Sequence, residues 1–221
     1  GFVHRDVSPS NVLISYDGRV KIIDFGLAKA QHRLSKTTVG VLKGKYAYMA
    51  PEQAQTSSVD RRADIFSLGV TLWEISCDRR LFKRRDDVET LIALAAAEVP
   101  DPCALVWGYP RPLWRVLRRA LRKAPEMRYS TALELARELQ ECSKLEGRSL
   151  AQKDVASVMQ ALFPLEAERD GAMLADASVS LEQGGPASMR TSVAQPAAPE
   201  IVPNEWKRAL PPGLLNDRRK R

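Results

Sequence analysis

Residues 64–77 constrain the fold more tightly than any other stretch. From Asp64 the chain runs through Ile65, Phe66, Leu68, Val70, Leu72, Trp73 and Ile75 to Cys77, apolar on nearly every side of a helix. A surface helix carries a single apolar stripe, whereas one that is apolar all round has to be covered on all sides. The spacing therefore predicts a helix buried in the core. The composition can supply that cover, since 44% of the 221 residues are hydrophobic and 28% charged, ordinary values for a packed soluble domain. The length allows one domain plus a tail, or two small domains.

Other elements follow from local pattern. Val12-Leu13-Ile14 and Val20-Lys21-Ile22-Ile23 read as two short strands around the turn dipeptide Asp17-Gly18. Val88 to Glu98, rich in Ala and Leu, is expected to be helical. Leu113 to Lys123 predicts an amphipathic helix with a basic outer face. Thr131 to Leu145 predicts another, capped by Ser130 or Thr131, and residues 151–163 one more short helix. Ala28 to Gly44 is broken and polar, a loop long enough to expect a function for it. The fold class expected is mainly α, with a small β element (α+β). Residues 1–145 form the main domain, 146–168 a short helical extension, and 169–221 a Ser-, Gly-, Pro- and Ala-rich linker or disordered tail.

Charge and cysteine usage exclude some classes. A formal charge of +7 favours anionic partners such as nucleotides or acidic peptides. The basic helix from Arg111 to Lys123 has no reading motif and no aromatic beyond Trp114 interleaved with it, so no nucleic-acid partner is expected. Cys77, Cys103 and Cys142 are scattered, which suits a reducing cytoplasm better than a disulfide framework or a zinc site. No apolar run approaches the roughly 20 residues that span a bilayer. The expected location is cytoplasmic, or the cytoplasmic part of a longer membrane-anchored protein. Gly1 in place of an initiator Met is read as the mark of a fragment.

The chemistry concentrates in His4-Arg5-Asp6-Val7-Ser8-Pro9-Ser10-Asn11 and Asp24-Phe25-Gly26. Phosphoryl transfer to a hydroxyl needs a carboxylate at the hydroxyl and oxygen ligands for Mg²⁺. It also needs positive charge where the transition state is negative. Asp6 can be that carboxylate. Asn11 and Asp24 offer the hard oxygen donors that Mg²⁺ prefers, and the strand pair between them would bring them to one end of the domain. His4 reads as a packed, hydrogen-bonded core histidine, His32 as an exposed loop residue, and Phe25 as a core contact that sets the position of Asp24. Gly40 to Tyr46 superficially suggests a phosphate-binding loop. It is one residue short between its glycines and has no Ser or Thr after the Lys, so that reading is rejected.

These residues resemble the H-R-D-x-x-x-x-N and D-F-G elements of the protein kinase family. Tyr48-Met49-Ala50-Pro51-Glu52 is similar to the family's A-P-E element. Asp64 to Gly69 looks like the start of its central helix, and Pro125-Glu126-Met127-Arg128 like the site whose Arg pairs with the A-P-E glutamate. Five elements in family order over about 145 residues make the resemblance specific, and the fine pattern is closest to the eukaryotic-like (Hanks-type) serine/threonine kinases of bacteria. It implies a protein-kinase-like fold, here the helical C-terminal lobe with a short catalytic-loop β-hairpin. The reaction implied is transfer of the ATP γ-phosphate, with Mg²⁺, to Ser or Thr of protein substrates in a signalling role. It implies Asp6 as base and Asn11 and Asp24 as metal and nucleotide ligands. Arg5 would receive a phosphate on Thr37 or Thr38, with Ser35 behind them. Asp64 would order the catalytic loop through its backbone amides, and Glu52 and Arg128 would form a structural ion pair.

Two departures stand beside the resemblance. The family's glycine-rich loop, strand lysine and partnering glutamate do not precede His4, so the 221 residues alone are expected to be inactive. Ser8 also occupies the position of the family's catalytic-loop lysine, while Lys45 stands where a Thr is usual. The expectation weighed here is that the ammonium has moved across to Lys45, beside Asp6 and Ser8, against a plain solvated lysine. The rival function is a pseudokinase or scaffold that binds partners without catalysis.

Overall fold

The computed structural model describes residues 2–25, 45–55, 59–145 and 151–169. Thr37, Thr38, Ser35, His32, Gly26, the side chain of Lys45 and the tail beyond Arg169 lie outside the described residues. Strands β1 (Val12–Ile14) and β2 (Val20–Ile22) pair in a two-stranded sheet. The described helices are α1 (Pro51–Gln55), α2 (Arg62–Cys77), α3 (Asp87–Ala96), α4 (Pro102–Leu105), α5 (Arg111–Ala120), α6 (Ala132–Leu145) and α7 (Gln152–Leu162). Single 3-10 turns occupy Pro9–Asn11, Lys45–Tyr48 and Pro125–Met127. The architecture is thus mainly helical with one small hairpin, the class that the sequence predicts.

α2 is the centre of the larger unit. Phe66, Val70, Trp73 and Cys77 face one apolar cluster together with Ala47, Tyr48, Phe82, Leu94 and Leu117. Ile65 enters a second cluster with Val116, Ala120, Tyr129 and Leu135. Serving two clusters at once is why the helix is apolar almost all round. Phe66 stacks on Phe82 with centroids 5.9 Å apart. Burying each such ring contributes about 1.5–3 kcal/mol relative to leaving it in water. Gly69 lets α5 approach closely, because a Cβ there would sit 3.2 Å from Ala120 Cβ and Leu121 Cγ. The buried hydroxyls of Ser67 and Thr71 are satisfied inside the helix by the carbonyls of Ala63 and Ser67.

The helix is not covered everywhere that its sequence suggested. Ile75 is 70% exposed, and the neighbouring Glu74 is buried instead. Ends also differ by a few residues from the pattern. α3 stops at Ala96 rather than Glu98 because Ala97 turns left-handed, with φ 52°, and donates to Ala93 O. α5 starts at Arg111, since a proline fits the first turn of a helix, and stops before Arg122. At the start of α6, Thr131 Oγ1 accepts from Glu134 N at 3.1 Å, which makes Thr131 the cap.

The chain divides into two units by contact. The first holds residues 1–13 and 21–149, and the second, among its described residues, Ile14–Val20 and 151–169. In the second unit the hairpin turn is a three-residue loop, Tyr16-Asp17-Gly18. Ser15 N donates to Arg19 O at 2.9 Å and Gly18 N to Ser15 O at 2.8 Å. Gly18 takes φ +82°, the left-handed position such a loop needs at its third residue.

Candidate active site

The segment His4 to Asn11 buries Val7 and is otherwise held through its backbone. Asp64, in the first turn of α2, accepts from His4 N and from Arg5 N, both at 2.7 Å. Charge-assisted bonds of this kind are short and about twice as strong as neutral ones. They hold Arg5 in a left-handed conformation, φ 65°, that a non-glycine residue adopts only when its surroundings insist. His4 is buried. Its Nε2 pairs with Ile23 O at 3.0 Å, and its Nδ1 accepts from Asp6 N at 3.3 Å, which assigns the proton to Nε2. One imidazole thereby ties the residue before Asp24 to the backbone of Asp6.

Asn11 completes the arrangement. It is buried, and its Nδ2 donates to Asp6 O at 2.7 Å, which aims the side-chain oxygen the other way. Its carbonyl accepts from Ile23 N at 2.9 Å, so the chain entering Asp24 runs directly beside Asn11. Asp24 is exposed and left-handed, φ 58°. An amide oxygen and a carboxylate presented from adjacent backbones suit Mg²⁺, which keeps several waters and phosphate oxygens in its shell. Among the described residues no three His, Cys, Asp or Glu side chains gather as a metal site, so a cation here would depend on this Asn–Asp pair. Phe25 differs from its expected core position: it is 59% exposed, with its ring 4.9 Å from that of His4.

Asp6 is half-buried. Ser8 is buried, and its hydroxyl lies 3.0 Å from Ser10 Oγ, a neighbour that the sequence did not point to. Lys45 opens the 3-10 turn Lys45–Tyr48. Glu52 and Arg128 meet in a two-pronged ion pair, Nη1 to Oε1 at 2.7 Å and Nη2 to Oε2 at 2.8 Å. The Arg128 side chain is fully buried. It also donates to the carbonyls of Arg62, Arg122 and Lys123, and its guanidinium lies 4.8 Å from the centre of the Phe66 ring.

Two contributors escaped the sequence. Gln53 receives Ala50 N on Oε1 at 2.8 Å and gives Nε2 to Arg5 O at 3.3 Å, joining the start of α1 to the His4–Asn11 loop. Glu74 accepts from Tyr48 Oη at 2.7 Å, from Arg80 Nη1 at 2.9 Å and from Leu81 N at 2.9 Å. Arg80 also touches the Tyr48 hydroxyl. Burial, with the Glu74 carboxylate beside it, pushes the Tyr48 phenol up to about 12. The signal for this network was a carboxylate deep within an apolar helix, past its first turn, since a buried charge has to be paired.

Comparison with known proteins agrees with this geometry. The protein kinase domain model matches residues 1–141. The tyrosine-protein kinase MasK of Myxococcus xanthus is 52% identical over 130 residues, 59% of this chain and 20% of that protein. The serine/threonine-protein kinase PknL of Mycobacterium tuberculosis is 36% identical over 140 residues, 63% of this chain and 35% of PknL. PknB of the same species is 37% identical over 141 residues, 63% of this chain and 22% of PknB. The chain thus spans between 20% and 35% of the length of these curated relatives. Because the family match covers well over half of the 221 residues and takes in the whole loop from His4 to Asp24, this chain belongs to the protein kinase family, with Hanks-type bacterial kinases among its relatives.

Proposed function

We propose that the protein to which this chain belongs transfers the γ-phosphate of ATP to Ser or Thr hydroxyls of other proteins. The observation that carries this reading is the double anchoring of one loop. Asp64 holds its backbone at His4 and Arg5, and Asn11 holds both Asp6 O and Ile23 N. Asp6 and Asp24 are thereby presented from neighbouring, pre-organised backbones, which is what positioning catalysis requires. Asp6 takes the proton of the acceptor hydroxyl as its oxygen bonds to the γ-phosphorus. The bond from that phosphorus to the bridging oxygen breaks, and ADP leaves. Asn11 and Asp24 would hold Mg²⁺, which when bound neutralises charge on the phosphates. Arg5 would receive a phosphate on Thr37 or Thr38, and Lys45 beside Ser8 would supply the cation that the catalytic loop lacks. Without a glycine-rich loop and its lysine, residues 1–221 alone are expected to be inactive.

A second reading changes the acceptor to Tyr. Two observations favour it: the relative at 52% identity is named a tyrosine-protein kinase, and Ser8 replaces the lysine usual in serine/threonine kinases. Radiolabelled ATP followed by phosphoamino-acid analysis of the full-length protein and a substrate mixture decides between them. Asp6→Asn should abolish labelling and leave Mg·ATP binding nearly unchanged, whereas Asp24→Asn should weaken both. No Asp6-dependent labelling of any residue would favour a non-catalytic scaffold. Lys45→Ala should lose at least ~10-fold in turnover, and Ser8→Lys with Lys45→Thr should recover much of that loss. Normal turnover in Lys45→Ala would remove Lys45 from the site.

A further inference from the structure

α7 lies beyond the residues that the family model matches, yet it is packed on the hairpin. The contact is backbone against backbone. Gly18 is buried, and a Cβ added to it would lie 2.1 Å from Gln152 O and 2.7 Å from Ala156 N. No side chain fits between the turn and the first turns of the helix. Gln152 Nε2 donates to Asp17 O at 2.9 Å, and the Tyr16 ring lies 6.4 Å from that of Phe163. All three residues of the loop therefore contact the helix, which is held near both of its ends. Its start is organised for this, since the Asp154 carboxylate reaches back to Ala151 N at 2.6 Å.

The hairpin needs such support. Its strands have three residues each, and side chains on both are exposed, Leu13 at 52% and Val20 at 57%. A lone two-stranded hairpin is marginally stable in water, and packing against a helix is the usual remedy. The outer ends of these strands run into Asn11 and, one residue on, Asp24.

We infer that residues 151–163 are an intramolecular brace, docked on the Tyr16–Gly18 turn, whose release loosens the hairpin and weakens metal-nucleotide binding. The segment after the kinase domain would then tune the site from behind. The coupling half of this inference rests on the reading of Asn11 and Asp24 as metal ligands; the docking half does not.

Hydrogen exchange and calorimetric titration of Mg·ADP on the full-length protein test it. Ala156→Arg places a long cation against Gly18, and Gln152→Ala removes one bond while leaving the helix intact. Ala156→Arg should speed exchange across residues 14–20 by at least ~10-fold, because the opening free energy of that segment falls. It should also weaken Mg·ADP binding by roughly 3- to 10-fold. Gln152→Ala should move both readouts the same way by less, and it carries the decision if Ala156→Arg fails to fold. Unchanged exchange at 14–20 overturns the brace. Faster exchange with unchanged Mg·ADP affinity overturns the coupling. No Mg·ADP binding by the unaltered protein overturns the coupling together with the ligand reading, while exchange alone still decides the docking.

Discussion

The surroundings of α2 and the hairpin between Asn11 and Asp24 carry the two halves of the candidate site, and they are stabilised by different means. α2 packs into two apolar clusters, and from its first turn Asp64 accepts from the loop at His4 N and Arg5 N. The hairpin has short strands, exposed apolar side chains and a turn that is buried only where α7 lies on it. The contrast teaches that neighbouring stretches of one candidate site can rest on different supports, backbone bonds to a core helix on the Asp6 side and a short surface hairpin leading to Asp24. Two short bonds to one carboxylate are lost or kept as a unit, whereas a surface hairpin can be loosened in small steps.

The largest effect should come from the buried ion pair. Arg128→Met removes the two-pronged partner of Glu52 and abandons three backbone carbonyls, and breaking a buried pair typically costs about 3–5 kcal/mol. Chemical denaturation measures it, and Arg128→Met combined with Glu52→Leu should recover part of the loss. If Arg128→Met proved as mild as a hairpin substitution, the contrast between the two regions would collapse.

Next is Asp64→Asn, which preserves shape but replaces one acceptor by a donor facing His4 N or Arg5 N. In the full-length protein turnover should fall by about 10²-fold, corresponding to ~2.7 kcal/mol, with a much smaller change in the unfolding midpoint. Equal losses in turnover and stability would reduce Asp64 to a packing residue.

A smaller effect belongs to Tyr48→Phe, which removes one of the bonds to Glu74 while Arg80 and Leu81 N remain. The expected cost is ~1 kcal/mol by denaturation. A cost above that of Arg128→Met would place the anchor of the Lys45–Tyr48 turn, rather than the ion pair, at the head of the series.

Smallest are changes at exposed positions. Val20→Thr should alter stability by less than about 0.5 kcal/mol. Asp60, whose carboxyl is held below the usual carboxylate range chiefly by its bonds to Arg62, should show only a shallow acid dependence. Its folded value is depressed, so its contribution is present above pH ~4 and lost as pH falls further. Asp60→Asn should flatten that part of the stability profile. A steep acid loss that survives the substitution would point to carboxylates in the core instead.

The core helix and the hairpin were legible because each rests on short-range pattern, all-round apolarity in one case and Asp-Gly between β-branched runs in the other. The family was legible for a different reason, a string of motifs that also supplied the candidate site residues. Gln53 was not, because a glutamine beside Pro51 and Glu52 has no distinguishing neighbours in the chain. Its partners, Ala50 N and Arg5 O, are specified only by folding. The exposure of Ile75 was illegible for a similar reason, since periodicity states that a helix is buried but not where its cover has a gap.

The sequence by itself determined the family, the mainly helical class and the places of the hairpin and the longer helices, and it named candidates for the chemistry. Those properties depend on local propensity and on which side chains are present. Tertiary structure alone decided that Gln53 reaches Arg5 O, that Glu74 pairs with Tyr48, and that α7 lies on Gly18. Each joins residues distant in the chain or fits backbone to backbone. Such contacts are selected by the need to satisfy buried polar groups and fill space once the elements have come together, and no local pattern encodes them.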